Sequence, residues 1–375
     1  MPEIRFKDFT NPWKQQKLGD ITKVNSGKDY KHLNQGDIPV YGTGGYMLSV
    51  NESLSNEDAV GIGRKGTIDK PQFLKAPFWT VDTLFFMTPK PNNELMFLLA
   101  LSQDIEWAKL DESTGVPSLS KVNIESVVRY VPDFHEQTAI GTFFRVLDDT
   151  ISIHKRKLDG LRKLKKAYLQ QMFPQAGEKV PRIRFEGFTD DWKMRRLSDM
   201  SDYKNGKGHE DKIVENGKYE LVNLNSISID GGLKSSYKFI DEATETLQKG
   251  DLVMVLSDVG RGDLLGRVAI IPEDNKFVLN QRVALLRPNE TANSLFLFSY
   301  INAHQRYFKL KGAGMSQLNI SKGSVEGFES YVPTLAEQIA IGNFFCNLDM
   351  QIQTQSEKIE KLKQLKSAYL QKMFV

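Results

Sequence analysis

Two short stretches carry residue types that could do chemistry, and each fails a test. Residues 61–66, GIGRKG, satisfy G-x-G-x-x-G, the spacing with which backbone amides cradle a pyrophosphate. That use needs a helix opening at the last glycine. Here Thr67 and Ile68 are β-branched and Pro71 follows, so the stretch predicts a basic turn instead. The phosphate-loop pattern is also missing. Such a turn offers Arg64 and Lys65 beside flexible backbone, a combination suited to phosphate or base contacts. PDFHEQ (132–137) places Asp133, His135 and Glu136 near one another. The corresponding stretch further on, PTLAEQ, keeps only the glutamate and glutamine, as Glu337 and Gln338. Glu-Gln pairs suit the first turn of a helix.

Asn11-Pro12-Trp13 is faintly similar to the NPP-aromatic motif of amino-methyltransferases. Its duplicate reads Asp190-Asp191-Trp192, which retains only what packing would want. The five histidines, His32, His135, His154, His209 and His304, show no metal-ligand spacing. Cys346 is the only cysteine, which excludes a disulfide framework and a cysteine-based metal site. No methyl-donor, ATP or nuclease motif is visible, so no catalytic residue, no bound cofactor and no metal are expected on this chain. Contacts to base edges and phosphates remain chemically available to polar and basic loop residues. In the first half these are Lys28, Lys31, Tyr41, Thr43, Arg64 and Lys65. In the second they are Lys204, Lys207, His209, Asn223, Asn225, Arg261, Arg267, Gln281 and Arg282.

The elements that must position these residues are written twice. YVPDFHEQTAIGTFFRVLDDTISIHKRKLDGLRKLKKAYLQQMF (130–173) aligns without a gap with 331–374, and 23 of the 44 positions are identical. PEIRFKDFTNPWKQQKLGD (2–20) matches 181–199. The middles, 21–129 and 200–330, align poorly, and the second is longer by 22 residues. They share a rhythm nonetheless. An apolar strand, a basic Gly-rich loop and a further strand are expected over 55–68 and 249–271. Strands closed by proline are expected at 78–89 and 278–288, and apolar helices at 94–110 and 294–310. STGVPSLS (113–120) and GAGMSQLN (312–319) follow.

The shared segment reads as a long amphipathic helix with apolar residues at 3–4 spacing. In the first copy the stripe includes Phe144, Leu147, Ile151, Leu158, Leu161, Tyr168 and Met172. In the second it includes Phe345, Leu348, Ile352, Ile359, Leu362, Tyr369 and Met373. His154 with Gln355, and Lys165 with Lys366, are polar on the stripe in both copies, a pattern that can fix register. Some 35–39 helical residues make a rod of roughly 50–58 Å, too long to bury its stripe alone. The two copies are therefore expected to pack on each other, in an orientation that spacing does not decide. The run KRKLDGLRKLKK (155–166) reads as the solvated face of that helix.

The 375 residues predict two or three domains of about 100–200 residues. With 40% hydrophobic and 26% charged residues the composition is globular. A net charge of +3 demands no polyanionic partner at whole-chain level, so any nucleic-acid surface is local. The first residues lack the apolar core of a signal peptide, and no apolar run approaches the ~20 residues that span a bilayer. A cytoplasmic protein is expected.

The order of short leading block, variable middle and YVP-x-x-x-EQ-x-AIG-x-FF helix ending in AYLQ-x-MF, all repeated, resembles the specificity subunit of type I restriction-modification enzymes across essentially the whole chain. The resemblance implies an α/β fold: two mixed α/β target-recognition domains joined by two long helices, which form an antiparallel coiled coil with a pseudo-twofold internal repeat. The corresponding boundaries are 1–132 and 182–333 for the two domains, 133–173 and 334–375 for the helices, and 174–181 for a linker. Each domain would read one half of a split, asymmetric double-stranded DNA site, and the helix pair would set the spacing. Two methyltransferase subunits would dock, restriction subunits would join them, and methyl donor, ATP and Mg²⁺ would be bound by those partners. The alternatives are a coiled-coil adaptor without DNA binding and an enzyme with a site formed between the halves.

Overall fold

The computed structural model describes residues 2–175, 177–260 and 262–374. The chain forms two compact units, one of residues 1–156 with 355–375 and the other of residues 157–354.

The two units repeat one sheet topology although their middles barely align. In the first, an antiparallel four-stranded sheet runs Thr22–Ser26, Leu84–Pro89, Ala59–Gly63, Gln72–Leu74. A three-stranded sheet runs Gly45–Val50, Gln35–Gly42, Trp79–Thr80, its last pair parallel. The leading strand Lys14–Lys17 pairs with Val128–Val131. In the second unit the four strands are Ser201–Asn205, Val283–Pro288, Leu252–Val255 and Val268–Ile270. The three are Phe239–Ile240, Tyr219–Val222 and Phe277–Leu279, again with a parallel last pair. Lys193–Arg196 pairs with Glu329–Val332.

Several expected elements break, and the two strand breaks share one cause. Residues 78–89 are not one strand but two, Trp79–Thr80 and Leu84–Pro89. Residues 278–288 divide likewise into Phe277–Leu279 and Val283–Pro288. At each break the chain leaves the three-stranded sheet and enters the four-stranded one. Arg282, at the second break, has φ 66°, a left-handed conformation that ends a strand. The strand expected directly after GIGRKG does not form at Thr67; pairing resumes at Gln72–Leu74, beyond Pro71. Each apolar helix candidate is also two pieces: Leu95–Asp104 and a 3₁₀ turn Trp107–Leu110, then Ser294–Ala303 and Gln305–Lys311.

The EQ-x-AIG block joins leading block, middle and long helix. Glu136, fully buried, accepts both Arg5 Nε at 2.6 Å and Arg5 Nη2 at 2.7 Å, and Trp13 Nε1 at 3.1 Å. Arg184 and Trp192 treat Glu337 in the same way, at 2.7, 2.8 and 3.2 Å. The hydrogen bond to each glutamate raises the pKa of its arginine. Gln137 accepts the Glu94 amide at 3.0 Å and donates to the Pro132 carbonyl at 3.0 Å. Gln338 does the same between Asn293 and Pro333, at 3.0 and 3.1 Å. Glu94 and Asn293 are the caps of Leu95–Asp104 and Ser294–Ala303. A Cβ on Gly141 would fall 2.1 Å from Glu94 Oε2, and one on Gly342 2.7 Å from Asn293 Oδ1, so the glycines admit the caps. Asp133 accepts the Glu136 amide and starts the helix; its carboxyl is held below the usual range by that bond.

The long helices span Phe134–Gln171 and Leu335–Met373. Within each unit the start of one runs antiparallel to the end of the other. In the first unit Phe144 stacks on Phe374 at 6.0 Å, Phe143 meets Tyr369 edge-on at 5.0 Å, and Lys366 binds Asp148 at 2.6 and 2.7 Å. In the second, Phe345 stacks on Phe173 at 5.8 Å, Phe344 meets Tyr168 at 5.0 Å, and Lys165 binds Asp349. Burial in turn raises the Asp349 pKa, against the opposing pull of Lys165. Of the expected seam residues, Ile151, Leu158, Met172, Leu348, Ile359 and Met373 are buried. Leu147, Leu161, Tyr168, Ile352, Leu362 and Tyr369 are half-buried. Phe173 and Phe374, the last letters of the repeated phrase, are buried in the cores of their units.

Candidate nucleic-acid interface

In the first unit the sheet-switching segment 80–84 is the hub of the expected loop residues. Lys28 donates its amide to the Thr80 carbonyl at 2.8 Å, and Val81 donates to the Tyr41 carbonyl at 3.0 Å. Arg64 and Lys65 donate theirs to Thr83 at 2.8 and 3.3 Å. Backbone pairing thus gathers Lys28, Tyr41, Arg64 and Lys65 around one turn. Thr43 lies against this group, its Oγ1 being the nearest atom to a Cβ built on Gly66. Arg64 also donates to the Asp82 carbonyl at 3.3 Å and stands over the Phe85 ring at 5.8 Å, which orients its guanidinium. Lys28, Lys31, Arg64 and Lys65 are exposed, and Tyr41 and Thr43 are half-buried.

Lys31 is not tied to that turn. It lines a groove with Tyr30, Tyr46 and Met47 beside the hairpin Gln35–Gly42, Gly45–Val50. Tyr46, 63% exposed, meets Tyr41 edge-on at 6.5 Å. Tyr46 is not among the expected residues, although the GTGGY run (42–46) marks a hairpin tip that can present an aromatic ring.

In the second unit the equivalent switch is 280–282. Asn280 donates its amide to the Val222 carbonyl at 2.9 Å, and Leu256 donates to the Arg282 carbonyl at 2.9 Å. Gln281 and Arg282 are exposed there, with Gln281 donating to Glu210 at 2.6 Å. Lys204, Lys207 and His209 line one cleft beside Thr244 and Glu245. Lys204 is ion-paired to Glu245. His209 Nδ1 is buried without a hydrogen-bond partner among the described residues.

The remaining expected residues hold structure or stand apart. Asn223 caps the short helix Leu224–Ser226, its side chain accepting the Asn225 amide at 2.9 Å, which leaves Asn225 itself exposed. Arg267 is half-buried and donates to the Asn302 carbonyl at 3.4 Å; burial lowers its guanidinium pKa. Arg261 lies outside the described residues.

The two Gly-rich stretches after the apolar helices, dissimilar in sequence, occupy corresponding places. Lys65 bridges Ser118 and Gly66 donates to Pro117 at 2.8 Å, while Ser257–Asp258 pairs with Leu318–Asn319. Each stretch therefore flanks the loop of its own unit. Among the described residues no cluster of histidine, cysteine, aspartate and glutamate could hold a metal ion, and no helix is long and apolar enough to cross a membrane.

Comparison with known proteins agrees with this duplicated design. The family model of the type I restriction modification DNA specificity domain matches twice, at residues 10–163 and 189–364. A provisionally assigned MjaX specificity subunit of a type I restriction enzyme from Methanocaldococcus jannaschii is 27% identical over 203 residues, covering 49% of this chain and 46% of the relative. The MjaVIII specificity subunit from the same organism is 22% identical over 186 residues, covering 49% and 42%. The chain thus spans less than half the length of these curated relatives. The crystal structure of a type I restriction-modification S subunit from M. genitalium shares the fold with a TM-score of 0.74 at 16% identity, covering 100% of this chain and 99% of that one. With two copies of the specificity domain accounting for most of its length, the chain belongs to the family of type I restriction-modification specificity subunits.

Proposed function

We propose that each unit's middle reads one half of a split, asymmetric double-stranded DNA target. The observation that carries this reading is the contrast within the repeat. Two middles with one sheet topology present different side chains at the same switch point, as two different half-sites require. The target-recognition domains are 1–132 and 182–333, and 174–181 is the linker. The helices 133–173 and 334–375 set the spacer between half-sites and offer docking faces to two methyltransferase subunits, which restriction subunits join. Methyl donor, ATP and Mg²⁺ are bound by those partners, and this chain is a non-catalytic cytoplasmic subunit. A modest charge of +3 suits a subunit that shares phosphate contacts with its partners.

The experiment is duplex binding by the chain assembled with its methyltransferase subunits, across a range of salt. Binding that falls steeply with salt, and that prefers one split sequence over its scrambled control, supports the reading. Absence of duplex binding would leave the coiled-coil adaptor as the better account.

A further inference from the structure

Two units that read different bases must still perform one task in common, which is to hold a phosphate backbone in register. Features identical in both units at one place in the topology are therefore candidates for backbone holding, and features that differ are candidates for base reading. One such pair of side chains flanks the two sheet switches. We propose that Lys28 and Lys207 are equivalent, sequence-independent phosphate anchors, one for each half-site; this rests on the DNA-recognition reading above.

Their equivalence is structural. Thr22–Ser26 and Ser201–Asn205 are matching edge strands, paired with Leu84–Pro89 and Val283–Pro288. Each is followed at once by Gly-Lys. Gly27 donates its amide to the Leu84 carbonyl at 3.1 Å, and Gly206 to the Val283 carbonyl at 3.0 Å. A Cβ on Gly27 would fall 2.0 Å from the Val81 carbonyl oxygen, and one on Gly206 1.8 Å from that of Asn280. No other residue type fits so close an approach. The lysine that follows is pinned to the sheet switch in both units, by the Lys28 amide on Thr80 and by the bridge between Lys207 and Asn280. The backbone beneath each lysine is thus held by the glycine before it and by a contact to the switch of its own unit.

The lysines are also available. Both are exposed, and neither forms an ion pair among the described residues, whereas nearby Lys204 is committed to Glu245. An ammonium on a rigid base, already in water, can meet a phosphate oxygen without breaking a pair. Around this shared point everything else differs. The first unit offers Arg64, Lys65 and the Tyr41–Tyr46 pair; the second offers Gln281 and Arg282. Base discrimination falls to these.

The test uses the chain assembled with its methyltransferase subunits, carrying Lys28→Gln or Lys207→Gln, with Lys28→Arg and Lys207→Arg as charge-retaining controls. Binding is measured against salt on the cognate duplex and on duplexes altered at one base of either half-site. Each Gln variant should reduce the slope of log K against log salt by about 0.9, the share of one phosphate. The fold-loss should be equal on cognate and altered duplexes, the methylated sequence unchanged and the Arg variants close to the parent. An unchanged slope, or a loss confined to one base of one half-site, overturns the anchor role while leaving DNA recognition in place. A parent assembly without salt-dependent duplex binding overturns the recognition reading itself. Melting temperatures equal to the parent's verify that the exposed substitutions leave the fold intact.

Discussion

Gln355 donates to the backbone carbonyl of His154 at 3.1 Å, and the two residues are each other's counterparts 201 positions apart. A residue that meets its own counterpart defines a self-complementary register. The other helix contacts obey it. Lys366 with Asp148 becomes Lys165 with Asp349 when both members are exchanged for their counterparts, and Phe143 with Tyr369 becomes Phe344 with Tyr168. The polar positions on an otherwise apolar stripe therefore act as register pins.

If the pins specify register, Lys366→Met should weaken the first unit more than an exposed pair would. Lys366 is 14% exposed at its side chain and holds both oxygens of Asp148. Hydrogen bonds to charged groups are worth about 1.5–3 kcal/mol, against less than about 1 kcal/mol for a surface pair. A double-mutant cycle with Asp148→Asn, read by denaturant unfolding, should show coupling above about 1 kcal/mol. Strictly additive single effects would remove the pair from the account.

The buried clamp should be the costlier loss. Arg5→Met leaves the carboxylate of Glu136 buried with, among the described residues, Trp13 as its remaining side-chain donor. Breaking a buried pair from one side costs about 3–5 kcal/mol, and replacing both partners by apolar groups recovers much of it. Urea unfolding of Arg5→Met and of Arg5→Met/Glu136→Leu checks both halves of the expectation. A single variant within about 1 kcal/mol of the parent contradicts it.

His304 should make the second unit acid-sensitive. Its ring lies among Tyr300, Phe328 and Phe173, with Nδ1 2.7 Å from the Tyr300 carbonyl, and burial lowers its pKa. The unfolded chain binds a proton at the ordinary value of about 6.5 while the folded one resists it. Stability from this residue is complete above that value and is lost as pH falls through it toward the folded value. The residue that ends the corresponding helix of the first unit is Ile105, so His304→Ile should flatten this part of the pH profile of melting. An identical profile in parent and variant would show that the residue does not titrate against folding.

Arg282 holds a left-handed conformation, φ 66°, that costs a non-glycine residue about 1 kcal/mol or more. Arg282→Gly should therefore stabilise the second unit by about 1 kcal/mol while weakening duplex binding. Calorimetry and a binding isotherm on the same preparation check the two together. A gain in stability with unaltered binding would place Arg282 outside the interface.

What the sequence made legible was whatever repeats locally. The long helices show themselves because a 3.6-residue stripe is written along a single segment, and its duplication confirms the period. The clamp was hidden because Arg5 and Glu136 are 131 positions apart, and Arg184 and Glu337 are 153 apart, so no window contains both. The sheet switches were hidden for another reason. Residues 78–89 and 278–288 are largely apolar on both sides of the break, which is marked only by the short polar runs Asp82-Thr83 and Asn280-Gln281-Arg282. The common topology of the middles rests on backbone pairing, which tolerates almost any side chain on its outer face, so alignment could not reveal it. The candidate interface was legible as a set of loops, but its grouping around 80–84 and 280–282 depends on those switches.

If one duplicated frame carries two independent readers, each middle can be exchanged without disturbing what the other reads. The measurement replaces residues 21–129 with the corresponding segment of another family member and maps methylated motifs in the host genome by long-read sequencing. One half of the split motif should change while the other half and the spacer stay as they were. A motif altered in both halves, or in neither, would contradict it.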